Sequence, residues 1–117
     1  MNLENLYDLA EKENIKIYDW HIEDANGIYV NIDKVNAIAL DYDNLGTYIE
    51  EKCVLAEELG HYYYDATYSL YCKNLQLISK QEYKAKKWAY NTLIPYENLR
   101  RAILERQDKH FIISWLF

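Results

Sequence analysis

Val54-Leu55-Ala56-Glu57-Glu58-Leu59-Gly60-His61-Tyr62-Tyr63-Tyr64 is the stretch that arranges the rest of the chain. Residues three and four apart share a helical face, so Val54, Glu57, Glu58, His61 and Asp65 form one stripe. Leu45, Ile49, Cys53, Ala56, Gly60 and Tyr63 form an apolar stripe beside it, which makes the segment a core helix with a polar site mounted on it. Upstream, Asp43-Asn44-Leu45-Gly46 is turn chemistry, and Thr47 with Glu50 reads as a capping box. The helix is therefore predicted over residues 47–64.

Before that helix, apolar side chains recur at Leu3, Leu6, Tyr7, Leu9 and Ala10, the pattern of a short amphipathic helix ending near Asn14. Residues 15–20 alternate with the two-residue strand period, and residues 27–32 and 37–41 are further strands separated by Asn, Asp and Gly turns. Such short spacings predict an antiparallel three-stranded meander. After the helix, residues 65–78 are mixed and Tyr-rich, a loop or a short helix. Ser79 and Glu82 read as a second capping box, opening a helix with Tyr83, Ala85, Trp88, Ala89 and Leu93 at core spacing that stops before Pro95. Pro95 suits the first turn of a last helix, to about Gln107, and the apolar run 111–117 must pack somewhere. The fold class is thus α+β: a small antiparallel three-stranded sheet packed on the motif helix, with additional helices.

At 117 residues, half of them hydrophobic, the chain is expected to form one domain, 1–117, around a single core. No stretch is long and apolar enough to span a membrane, and the N-terminus lacks a basic start followed by an apolar run, so a cytoplasmic location is expected. Cys53 and Cys72 form no CxxC pair and no thiolate zinc set; both are expected reduced, with Cys53 in the core. The net charge of −6 is uneven: residues 1–65 hold 15 acidic and 4 basic side chains, residues 66–117 hold 4 and 9. The basic ones, Lys80, Lys84, Lys86, Lys87, Arg100, Arg101 and Arg106, fall at the spacing of solvated helix faces. Direct nucleic-acid binding is accordingly not expected of so acidic a chain.

Glu57-Glu58-x-x-His61 differs at one place from His-Glu-x-x-His, in which two His one helical turn apart bind zinc and the Glu is general base. In that pattern the second His donates a ring nitrogen, the Glu polarises the attacking water, and a residue from a later helix completes the coordination. Those parts fall here to His61, Glu58 and a downstream carboxylate. Glu57 stands at the first ligand position, and a carboxylate oxygen can also bind zinc. Two carboxylates cancel a divalent ion's formal charge, so the water beside it stays less acidic than in a His-rich site. The competing reading makes Glu57 and Glu58 part of a solvated acidic face, His61 a satisfied residue near a helix C-terminus, and Glu82 only the cap partner of Ser79. His21 and His110 read as structural.

The wider context separates these readings. Residues 53–63, then Gln81-Glu82-Tyr83-Lys84-Ala85-Lys86-Lys87-Trp88-Ala89, then Leu93-Ile94-Pro95, resemble in order and spacing the ImmA/IrrE metallopeptidases. The resemblance covers roughly residues 15–105. It implies Glu82 as a third metal ligand beside Glu57 and His61, Glu58 as general base, and zinc or manganese as the ion. It further implies cleavage of a helix-turn-helix repressor encoded on a phage or other mobile element. The chain departs from the family pattern at Glu57, in place of the first His, and at Lys86, where Asn or Asp is common. The first departure keeps a second function open, a catalytically inactive module that regulates a repressor by docking. A third is a regulatory partner, such as one of a toxin–antitoxin pair, that uses a Tyr-rich surface, prompted by 13 Tyr in the chain.

Overall fold

The computed structural model describes residues 1–64 and 73–105, apart from the side chains of Tyr96 and Ala102. Asn2 caps α1 (Leu3–Lys12), its side-chain oxygen accepting from the Asn5 N–H at 2.8 Å. The helix stops in a left-handed residue, Asn14 (φ 57°), with the Ile15 N–H bonded to the Ala10 carbonyl and the Asn14 N–H to that of Glu11. This Schellman closure turns the chain and buries Ile15.

β1 (Lys16–Asp19), β2 (Gly27–Ile32) and β3 (Val35–Leu40) form one sheet. β2 and β3 are the expected antiparallel hairpin: Ile32 pairs with Val35 across Asp33 and Lys34, whose φ values of 51° and 65° are those of a two-residue turn matched to strand twist. The expectation of a wholly antiparallel meander is corrected. The order is β1-β3-β2, with β1 parallel to the central β3, so the sheet is mixed within an α+β arrangement. Residues 20–26 are long enough to cross two strand spacings. Buried Asp41, just after β3, ties that crossing down, since its Oδ2 accepts from the Ile22 N–H at 3.1 Å, pairs with His21 Nδ1 at 2.7 Å and accepts from Asn44 Nδ2 at 3.0 Å.

α2 (Tyr48–Tyr63) is capped by Thr47, which accepts from the Glu50 N–H at 3.1 Å. Glu50 reaches back one residue further than the capping box implies, to the Gly46 N–H at 3.0 Å. The helix lies against the sheet, α1 and α3 (Leu75–Leu93). With neighbours on several sides it buries Leu55 and Leu59, which the expected apolar stripe omitted, while Ile49 of that stripe is 39% exposed. Leu6, Ala10, Ile38, Leu40, Leu55, Ala56, Leu59, Ala89 and Leu93 make up most of the core. α3 begins earlier than expected, at an Asn74 cap whose Oδ1 accepts from the N–H groups of Gln76 and Leu77 at 3.1 and 3.2 Å. Ser79 is therefore interior, Glu82 caps nothing, and Tyr83 is solvent-facing rather than core. Ile94 ends the helix, and α4 (Tyr96–Leu104) follows Pro95. No helix of the described residues is long and apolar enough to cross a membrane. Asp65, Cys72, His110 and the apolar run 111–117 lie outside the described residues.

Candidate metal centre

The site is built where α2 meets α3. Both helices are unusually close at Gly60, where an added Cβ would overlap the carbonyl oxygen of Ala85 and come within 3.0 Å of its carbonyl carbon and Cα. Glu82 precedes Ala85 by three residues, one helical turn, so this contact faces Glu82 towards the turn of α2 that holds Glu57 and His61. His61 Nε2 lies 3.3 Å from Glu82 Oε1, and one ligand atom each from Glu57, His61 and Glu82 lie within 4.8 Å of one another. Among the described residues these three form the one cluster of His, Cys, Asp and Glu with metal-holding spacing. The structure thus brings together the residues picked out in the sequence as ligands. His21 instead pairs with Asp41.

Glu58 points to a different neighbour. A Cβ added to Gly27, at the start of β2, would stand 2.6 Å from Val54 Cγ1 and 3.2 Å from Glu58 Cγ, so the strand runs close against this face of α2. The Tyr29 backbone N–H favours the ionised form of the Glu58 carboxyl. Gly27 and Tyr29 carry no chemical signature of their own, and sequence reasoning passed over them. A Gly at the start of an alternating strand was the available sign of a close approach.

Electrostatics concentrate here. Burial, then the hydrogen bond and charge of Glu82, push the Glu57 carboxyl up to about 7, with Lys86 pulling the other way. Burial, then the charges of Glu57 and Glu82, push Glu58 up to about 8 against the Tyr29 N–H. Three carboxylates crowded beside a buried imidazole favour either shared protons or a cation. Two carboxylate oxygens and one imidazole nitrogen on converging helices are a suitable donor set for a zinc-type ion with room for further ligands, so the residues present fit such a metal. Packed beside the cluster, Tyr63 stacks on Trp88 with ring centres 4.9 Å apart and meets Tyr62 edge-on at 5.1 Å. These contacts brace the C-terminal turn of α2, which carries His61.

No curated protein and no solved structure gives a significant match to the chain. The family model for peptidase M78, the IrrE N-terminal-like domain, matches residues 10–117, a span that holds the sheet, Glu57, Glu58, His61 and Glu82. By that match over most of its length, the chain belongs to the IrrE N-terminal-like domain family of metallopeptidase type.

Proposed function

We propose that this protein is a zinc- or manganese-dependent endopeptidase of narrow specificity that cleaves a helix-turn-helix repressor of a phage or other mobile element. The observation that carries the reading is the convergence of Glu57, His61 and Glu82, with Glu58 on the adjoining face against β2. Glu57, His61 and Glu82 would hold the ion, whose chemistry when bound is Lewis acidity towards a peptide carbonyl. Glu58 stays outside that set and supplies the proton traffic. As a carboxylate it takes a proton from the attacking water, and as the acid it returns that proton to the departing amine. Its surroundings suit both halves, because burial favours the protonated form while the Tyr29 N–H favours the ionised one.

The strand order supports a way of holding substrate. β2 is an edge strand, with β3 on one side and no strand on the other among the described residues. An extended peptide added along that outer edge lies beside Glu58, with main-chain hydrogen bonds fixing its register. Holding the scissile bond there turns encounter into an intramolecular reaction.

One feature favours a second reading, a docking module that inactivates a repressor without cutting it. Glu57 replaces the first His, and burial together with the neighbouring Glu82 favours its protonated form, which binds no cation. Metal content and cleavage of the repressor encoded beside this protein, for wild type, Glu58→Gln and Glu57→His, separate the two. Metal-dependent cleavage abolished by Glu58→Gln is expected. Cleavage that survives Glu58→Gln unaltered would falsify the mechanism, and repressor binding without cleavage in both wild type and Glu57→His establishes docking.

A further inference from the structure

One turn beyond Glu58 on α2 is a cleft of about 330 Å³ lined by Glu13, Tyr29, Asn31, Asn36, Tyr62 and Tyr63. Tyr62 follows Glu58 by four residues and so shares its helical face. Tyr29 and Asn31 are alternate residues of β2 on one face of the strand. The cleft therefore continues the line that runs from Glu58 along the outer edge of β2. We propose that it is a specificity pocket for one basic side chain, arginine or lysine, of a peptide laid on that edge; this rests on the extended-peptide part of the reading above.

The chemistry of the lining supports a cation. Among the described residues that line the cleft, Glu13 is the only charged one, and none is Lys, Arg or His. Tyr62 donates its hydroxyl to Glu13 Oε2 at 2.7 Å. A carboxylate has about four acceptor positions, so one phenol orients it without exhausting it. The rings form walls set nearly at right angles: Tyr29 meets Tyr62 at 6.1 Å and 73°, and Tyr62 meets Tyr63 at 5.1 Å and 77°. Aromatic walls around a fixed carboxylate suit a guanidinium or ammonium head whose aliphatic stem lies along the rings. The neutral polar Asn31 and Asn36, the latter accepting from the Tyr29 hydroxyl, add no charge of the wrong sign to the lining. A peptide strand beside β2 presents alternate side chains on the face of Tyr29 and Asn31. Because β2 runs against Glu58 at Gly27, two residues before Tyr29, the selected side chain sits within a few residues of the scissile bond.

The test uses full-length protein with zinc and fluorescent alanine octapeptides carrying arginine or its neutral analogue citrulline at each position in turn. Binding is read by anisotropy in the Glu58→Gln variant, so that no peptide is consumed. At one position arginine should bind about tenfold more tightly than citrulline, the scale of one partly desolvated cation contact. Adding Glu13→Gln, which keeps an oxygen for the Tyr62 hydroxyl, should erase that preference with metal content unchanged. Adding Asn31→Asp instead should enlarge it. Equal binding of arginine and citrulline peptides at every position, or a preference that survives Glu13→Gln, overturns the pocket. Cleavage by wild type is scored separately: an arginine preference in a protein that cleaves nothing refutes the peptidase and leaves the pocket standing.

Discussion

Position 57 holds a carboxylate where the usual pattern has an imidazole, and its neighbours define what that does. Burial, then the neighbouring Glu82 carboxyl, push Glu57 up to about 7, so below that pH a cation must displace the Glu57 proton before it binds. Glu57→His puts a neutral donor in its place, and zinc affinity should rise when measured by competition with a chromogenic chelator. Glu82 gives a cleaner separation. Spacing alone allowed it to be the cap partner of Ser79, but Asn74 caps α3 and Glu82 sits a turn and more inside it. Glu82→Gln should therefore spare the chelator-treated protein the loss of about 1 kcal/mol that removing a helix cap brings, while abolishing bound zinc. Zinc retained at wild-type stoichiometry in that variant would remove Glu82 from the ligand set. The Glu57, Glu58 and His61 trio was legible because its spacing lies within one helix. Glu82 was legible only through family resemblance, since nothing in local spacing says which residue of a later helix will face His61.

What makes Glu82 face His61 is an element-scale contact, and its sign was present in the sequence as a glycine inside a helix. Gly costs roughly 1 kcal/mol relative to Ala in a helix interior, so one at position 60 points to a need for close approach. The structure supplies the reason: the Cβ that Gly60 lacks would strike the backbone of Ala85. Gly60→Ala must push α3 away, at a cost of about 1–3 kcal/mol for an overpacked contact, and carry Glu82 out of range of His61. Calorimetry and metal analysis should record lowered stability and lost zinc together. Because the clash is with backbone atoms, a compensating Ala85→Gly should not restore either property. Rescue by that double variant would mean that side-chain crowding, not helix approach, sets the site. The sheet shows the opposite kind of limit. The β2–β3 hairpin could be read from its turn residues, but strand order could not, since a seven-residue link can either turn back on its own strand or cross to the far edge. The bonds made by Asp41 across the chain select the crossing.

Across the whole molecule, the buried acids make stability a function of pH and of metal, in opposite senses. Glu57 and Glu58 titrate near 7 and 8 in the folded metal-free protein, whereas unfolded glutamates titrate near 4.3. Between about pH 4 and pH 8 the unfolded chain has released protons that the native chain still holds, so stability falls as pH rises and levels off above about 8. Asp41 acts in another window. The Ile22 N–H, with help from His21, holds it below its usual value, so its contribution is present above the unfolded aspartate range, near 3.9, and is lost as pH falls through its folded value. The metal-free protein should therefore be most stable around pH 4–5. Zinc reverses the trend because it requires Glu57 ionised, so its binding releases protons and strengthens towards pH 8. Melting temperatures of chelator-treated and zinc-loaded protein at pH 5, 6, 7 and 8 test both effects. The metal-free Tm should drop over that range, and the increment due to zinc should grow. Net charge, already −6 at neutral pH, pushes the metal-free Tm in the same direction, so the slope alone does not identify its source. Glu58→Gln does: it removes one buried titration while changing the surface little, and the metal-free slope should become shallower. An unchanged slope in that variant would mean that Glu58 is already ionised when the protein folds, and so is not held ready to pass a proton from water to amine.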